Sequence, residues 1–121
     1  MMMKRGDVWT VAGGKDYAGK PRPVVIVHND SFDETNSIVI CTLTSIDLQV
    51  PFARPMIDPN PDNGLRHQSW VMVDKISSVP KSKIGMCIGR LSDDDLVRLN
   101  LAMLVFLGLA SSPRTHMEPS T

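Results

Sequence analysis

Arg22-Pro23-Val24-Val25-Ile26-Val27-His28 is the stretch that decides the architecture. Four consecutive β-branched residues are stiff about χ1, which suits extended backbone and disfavours a helix. A strand with one wet face alternates apolar and polar side chains. This one does not alternate, so it reads as a central strand buried on both faces. Pro23 lacks the N–H that a ladder requires and therefore marks the strand's first residue. Arg22 then stands at the strand's mouth.

Working outward, residues 6–11 (Gly-Asp-Val-Trp-Thr-Val) read as a preceding strand. Between the two strands, Gly13–Pro21 holds three glycines and a proline without periodicity, which makes it a loop. Downstream, Asn29-Asp30-Ser31 turns the chain into a third strand, Ser37–Thr42, that ends in Leu43-Thr44-Ser45 and forms a hairpin with the second. Pro51, Pro55, Pro59 and Pro61 reduce residues 50–63 to an irregular edge strand and loop. Ser69–Ile76 reads as one further strand, with Trp70, Met72 and Asp74 on one face and Val71, Val73 and Lys75 on the other. Pro80–Lys83 is a one-turn connection, and Met86–Ile88 a short strand ending at Gly89.

After Leu91 the period changes to that of a helix. Ser92 is its N-cap, and Asp93, Asp94 and Asp95 sit in the first turn, where the helix dipole favours negative charge. Leu96, Leu99, Met103 and Leu107, joined by Leu104, supply an apolar face, and Gly108 ends the helix. Residues 111–121 carry two prolines and no periodicity and read as a flexible tail. There is no strand–helix–strand alternation, which excludes doubly wound folds. The expectation is a mainly β, α+β fold: a small, strongly bent antiparallel sheet with one open end closed by a helix, formed by a single domain over residues 1–110.

A chain of 121 residues suits one domain, and 42% hydrophobic with 21% charged residues excludes intrinsic disorder. Thirteen Lys+Arg balance thirteen Asp+Glu. That excludes a protein held to nucleic acid by an overall positive field, while leaving room for a local basic cleft. The longest apolar run, Leu101–Ala110, is shorter than the roughly 20 residues a bilayer span needs. The start, Met1-Met2-Met3-Lys4-Arg5, is not an export signal. A cytoplasmic protein without a membrane anchor is expected. Cys41 and Cys87 lie inside apolar runs and read as small buried hydrophobes. His28, His67 and His116 are scattered and read as solvated or structural, so no metal site is expected.

The remaining chemistry lies at strand ends. Arg22 adjoins the glycine loop with Lys15 and Lys20, Thr44-Ser45 ends the strand that pairs with it, and Asp74-Lys75 ends another. Converging on one rim, these groups would form a shallow cleft fitted to a phosphodiester. A guanidinium fork matches two phosphate oxygens, and a hydroxyl can donate a further bond. RNA carries its own nucleophile in the 2′-hydroxyl, so such a site need only position groups, stabilise charge and manage one proton at each end. A plainer account stands beside this one: Arg22 as a surface ion-pair residue with Asp16, and Thr44 and Ser45 closing a turn through side-chain bonds to backbone.

Lys4-Arg5-Gly6-Asp7-Val8-Trp9, Gly19, Arg22–Val27, Asn29-Asp30, Leu43-Thr44-Ser45, Ser69–Ile76 and Gly89-Arg90-Leu91-Ser92 occur here in an order and spacing that resembles the MazF/PemK-type toxins. These are the ribonuclease members of bacterial type II toxin–antitoxin pairs, and the likeness covers roughly residues 4–108. The resemblance implies an SH3-like barrel with a C-terminal helix, of the type shared with CcdB toxins, and a homodimer. It also implies metal-independent, cofactor-free, sequence-selective cleavage of single-stranded RNA, leaving a 2′,3′-cyclic phosphate and a 5′-hydroxyl. By the same resemblance Arg22 and Thr44 are catalytic. Asp74 falls on an acidic residue taken as the base in PemK-like members, although Met72 stands where those carry an arginine, and Lys15-Asp16 where they carry a histidine. Lys15, Asp16, Tyr17, Lys20, Ser45 and Lys75 are expected to contact RNA, with Arg54 and Arg66 adding charge to the groove. A cognate antitoxin is expected to occupy that groove with an acidic segment. The alternatives are a CcdB-like poison that binds gyrase without cutting RNA, and an inactive homologue that only binds antitoxin.

Overall fold

The computed structural model describes residues 3–12, 21–32, 34–48 and 53–111. Among these residues, seven strands precede one α-helix: β1 (Asp7–Val11), β2 (Arg22–Ile26), β3 (Ser37–Thr44), β4 (Met56–Ile57), β5 (Ser69–Val71), β6 (Ser77–Pro80), β7 (Ile84–Arg90) and α1 (Asp93–Phe106). The sheet order is β4-β5-β3-β2-β1-β7, every pairing is antiparallel, and β6 joins β3. The long strand β3 sets the curvature. One edge pairs with β2, while the other is divided between β6 at residues 37–40 and β5 at Leu43 and Thr44.

β2 is central, as its composition requires. Val25 packs with Val8, Cys41, Leu43, Val71 and the helix residues Leu99 and Ala102. Its neighbours Val24 and Ile26 point the other way, into a second cluster with Trp9, Ile38, Ile40 and Ile84. Burying a valine or isoleucine of this kind contributes about 1.5–3 kcal/mol.

The expected strand over Ser69–Ile76 forms only at Ser69–Val71, and the chain then tightens into a 3-10 turn at Val73–Lys75. The backbone bonds account for the break. Met72 N–H donates to Thr42 O and Val73 N–H to Ala53 O, after which Lys75 N–H turns back to Met72 O. Asp74 and Lys75 are therefore on the short turn that joins β5 to β6, and not on a strand. At the other end of the sheet, β7 runs over seven residues, beyond the expected Met86–Ile88.

The helix begins and ends as its caps dictate. Ser92 Oγ accepts from Asp95 N–H at 3.1 Å, and Gly108 takes φ +78° just past the last turn. Only part of the expected apolar face is covered. Leu99 and Ala102 are buried and Leu96 and Met103 pack partly, whereas Leu104 and Leu107 are exposed together with Val97 and Leu101. No helix among the described residues is long and apolar enough to cross a membrane.

The segment between β4 and β5 reaches β7 across the open side of the sheet: Arg90 N–H donates to Asp62 O at 2.8 Å. Gly64, at φ +70°, lies so close to β7 that a Cβ there would strike the Ile88 carbonyl. Gly64→Ala combines that clash with the cost of a left-handed alanine, so it is expected to destabilise the fold by about 2 kcal/mol or more, read as a lowered urea midpoint with an unchanged m-value.

The two cysteines differ, and Cys87 is a correction. It lies exposed on β7, the terminal strand of the sheet order, while Cys41 is fully buried. Burial pushes the Cys41 thiol up to about 12, with Arg5 opposing and Asp74 adding to the shift. A thiol reagent is therefore expected to titrate one cysteine in the native protein and two after unfolding, with Cys87 the native target.

Candidate active site

A cavity of about 610 Å³ opens where β1, β2, β3 and β7 meet the segment between β4 and β5. Its size is that of an ordinary ligand pocket. Arg22 and Thr44 both line it. The ladder explains why. Val24 pairs with Thr42, Val25 with Cys41 and Ile26 with Ile40. Arg22 and Thr44 lie two residues beyond the Val24–Thr42 pair on their strands, where the same register would set them on one face, since paired residues of antiparallel strands point the same way.

Thr44 Oγ1 accepts a hydrogen bond from Ile46 N–H at 3.1 Å. The turn-closing role anticipated for this hydroxyl is therefore real, and it is compatible with a second one. The bond uses a lone pair and leaves the hydroxyl proton to be donated into the cavity. Ser45 and Ile46 continue the same wall, and Pro21 and Pro23 flank Arg22.

Asp74 and Lys75 are not among the residues that line the cavity. Arg54 Nε and Nη2 hold the two oxygens of the Asp74 carboxylate at 2.9 Å each. These bonds keep Asp74 below the usual carboxylate range despite the opposing effect of burial. A carboxylate gripped in this way is a weak proton acceptor. The Arg54 side chain is only 6% exposed and is not among the residues that line the cavity, where it was expected to add charge. Of the expected RNA contacts, Ser45 is on the cavity wall, while Lys15, Asp16, Tyr17 and Lys20 fall outside the described residues.

Arg66 and His67 also line the cavity, from the segment that crosses to β7. Reading His67 as an isolated histidine missed this placement, because nothing in its local spacing relates it to Arg22 or Thr44. A better signal was Asn63, a polar residue within a turn-rich run. Fully buried, its Nδ2 donates to Asp58 O at 2.9 Å while its Oδ1 accepts from the N–H groups of Asn60 and Leu65. Ser69 Oγ then donates to the His67 carbonyl at 2.9 Å. The segment is thus held internally as well as docked. Among the described residues, no three His, Cys, Asp or Glu side chains gather as a metal cluster.

Comparison with known proteins identifies the family. The chain is 44% identical over 108 residues to the probable endoribonuclease MazF of Mycolicibacterium smegmatis, covering 89% of this chain and 99% of that protein. Its fold is similar to that of an endoribonuclease solved in complex with its cognate antitoxin from a mycobacterial species: TM-score 0.73, 24% identity, 90% of this chain and 98% of the other. It is also similar to a MazE–MazF structure from Deinococcus radiodurans: TM-score 0.72, 17% identity, 91% and 99% covered. The family model for the PemK-like, MazF-like toxin of type II toxin–antitoxin systems matches residues 4–107, nearly the whole described fold, and the chain belongs to that family.

Proposed function

We propose that this toxin is a sequence-selective endoribonuclease that cuts single-stranded RNA in the cavity between Arg22 and Thr44. The observation that carries the assignment is that Arg22 and Thr44, a guanidinium residue and a hydroxyl residue, line one cavity. The 2′-oxygen attacks the adjacent phosphorus, and a 2′-O–P bond forms as the P–O5′ bond breaks. The products are a 2′,3′-cyclic phosphate and a 5′-hydroxyl. Arg22 balances the negative charge that grows on the phosphorane, which is where an enzyme gains most. Thr44 donates to a non-bridging oxygen and fixes the phosphate's orientation. A guanidinium keeps its proton at any working pH, so Arg22 acts through charge and geometry.

Asp74 is assigned to the fold. Lys15, Asp16, Tyr17 and Lys20 are assigned to RNA contact on the resemblance, supported by Pro21 directly after them lining the cavity. Arg66 adds a second guanidinium residue to the lining of the same cavity. The relative solved with its antitoxin supports an antitoxin partner for this chain, for which an acidic segment laid along the basic wall would block substrate. The apolar side chains of Val97, Leu101 and Leu104 left open on α1 support a homodimer that covers them. The proposed site of action is the cytoplasm, where the RNA substrate is.

The test is incubation of purified protein with a defined RNA in EDTA, followed by analysis of the product ends. Discrete fragments bearing cyclic phosphate and 5′-hydroxyl ends are expected. Intact RNA accompanied by topoisomerase inhibition would replace this reading with that of a gyrase poison.

A further inference from the structure

We propose that His67 is the proton acceptor of this site and takes the proton from the attacking 2′-hydroxyl. The inference rests on the cavity being the place of cleavage and supplies the group that reading lacks. The attack requires a base. Arg22 and Arg66 cannot serve, since a guanidinium has no free lone pair near neutral pH. The Thr44 hydroxyl is a poor base and already accepts from Ile46 N–H. Asp74 is away from the cavity lining, with both oxygens on Arg54.

Among the described residues lining the cavity, His67 alone carries a side chain that accepts and releases a proton near neutral pH. Among the described residues, the only other charged groups lining it are the guanidiniums of Arg22 on β2 and Arg66 beside His67. Thr10 on β1, Thr44 on β3 and Ile88 on β7 bring no titratable group in this range.

The imidazole is also well carried. His67 is an exposed residue that lines the cavity, while its backbone is tied by Ser69 Oγ and its segment is held by the buried Asn63 network and docked on β7. A catalytic group needs that combination of an accessible head and a fixed base. In the step itself, the 2′-hydroxyl proton passes to the imidazole nitrogen as the 2′-O–P bond forms. The P–O5′ electron pair leaves with the 5′-oxygen, which takes a proton from solvent water. The imidazolium then returns its proton to solvent, so the protein is unchanged.

The experiment measures single-turnover cleavage of one defined RNA by the parental protein, His67→Ala, His67→Gln and Arg22→Ala across pH. His67→Ala is expected to lower the maximal rate about 100-fold with KM within about threefold, and to remove the rise of rate with pH on the acid side. Added imidazole should restore part of the rate to His67→Ala and none to Arg22→Ala. A substrate with a 5′-bridging sulfur, which leaves without a proton, should not rescue His67→Ala. Rescue by that substrate would make His67 the acid and overturn the assignment. His67→Ala cleaving within twofold of the parental rate, with Arg22→Ala inactive, would refute the role of His67 and keep the site. Both variants cleaving at the parental rate would refute the site itself.

Discussion

Arg22→Ala is expected to cut RNA about 1,000-fold more slowly than the parental protein while melting at nearly the same temperature. Removing one preorganised donor to a developing oxyanion typically costs 10²–10³ in rate, roughly 3–4 kcal/mol, and a full positive charge belongs at the upper end. The fold tolerates the loss because Arg22 is the first residue of β2, and the strand's buried residues begin at Val24. Arg22→Lys should recover little, because an ammonium is a point charge and cannot offer two parallel N–H bonds to a phosphate. Thr44→Ala should be milder and Thr44→Ser close to parental, since serine preserves the hydroxyl that both accepts from Ile46 N–H and donates to substrate. Single-turnover rates on one RNA, with thermal melts as control, decide the matter. Parental rates in both alanine variants would remove the cavity from the mechanism.

Asp74→Ala should have its largest effect on stability. The Arg54 side chain is 6% exposed, and Asp74 supplies its partner through two bonds of 2.9 Å. Removing the carboxylate leaves a buried guanidinium without its counter-charge, a loss of about 3–5 kcal/mol for fully enclosed pairs. Asp74 keeps 24% exposure, so about 3 kcal/mol is expected, a fall in Tm of roughly 10 °C. The pH dependence follows from the depressed carboxyl. Its folded value lies below the ordinary 3.8, so the stabilisation is complete above about pH 4 and disappears as pH falls through the folded value. Asp74→Asn should flatten that acid limb. The fraction of Asp74→Asn that remains folded should still cleave RNA within about threefold of the parental rate. Loss of cleavage in folded Asp74→Asn would return Asp74 to the chemistry and displace His67.

These two outcomes separate residues that the chain brings together from residues that merely look alike in sequence. Arg22 and Thr44 were legible as a pair because each ends a strand and the strands are neighbours in a hairpin; antiparallel register does the rest. Asp74 looked equivalent, an acid near the end of an alternating run. That run stops at Val71, because the backbone of residues 72–73 finds partners in Thr42 and Ala53 and the next bonds close a turn. His67 carried no local signal, since its relation to Arg22 exists only after the segment from Asp58 has been tied by Asn63 and laid against β7.

Local chemistry determined which stretches extend, where the helix starts and stops, and that β2 would be buried on both sides. Such choices depend on side-chain branching, hydrophobic period and capping, all readable within a few residues. Tertiary structure alone decided which loop lines the cavity, which arginine claims Asp74, and which side of α1 stays uncovered. Those outcomes rest on contacts between residues far apart in the chain, and no local pattern encodes the surface against which a segment will close.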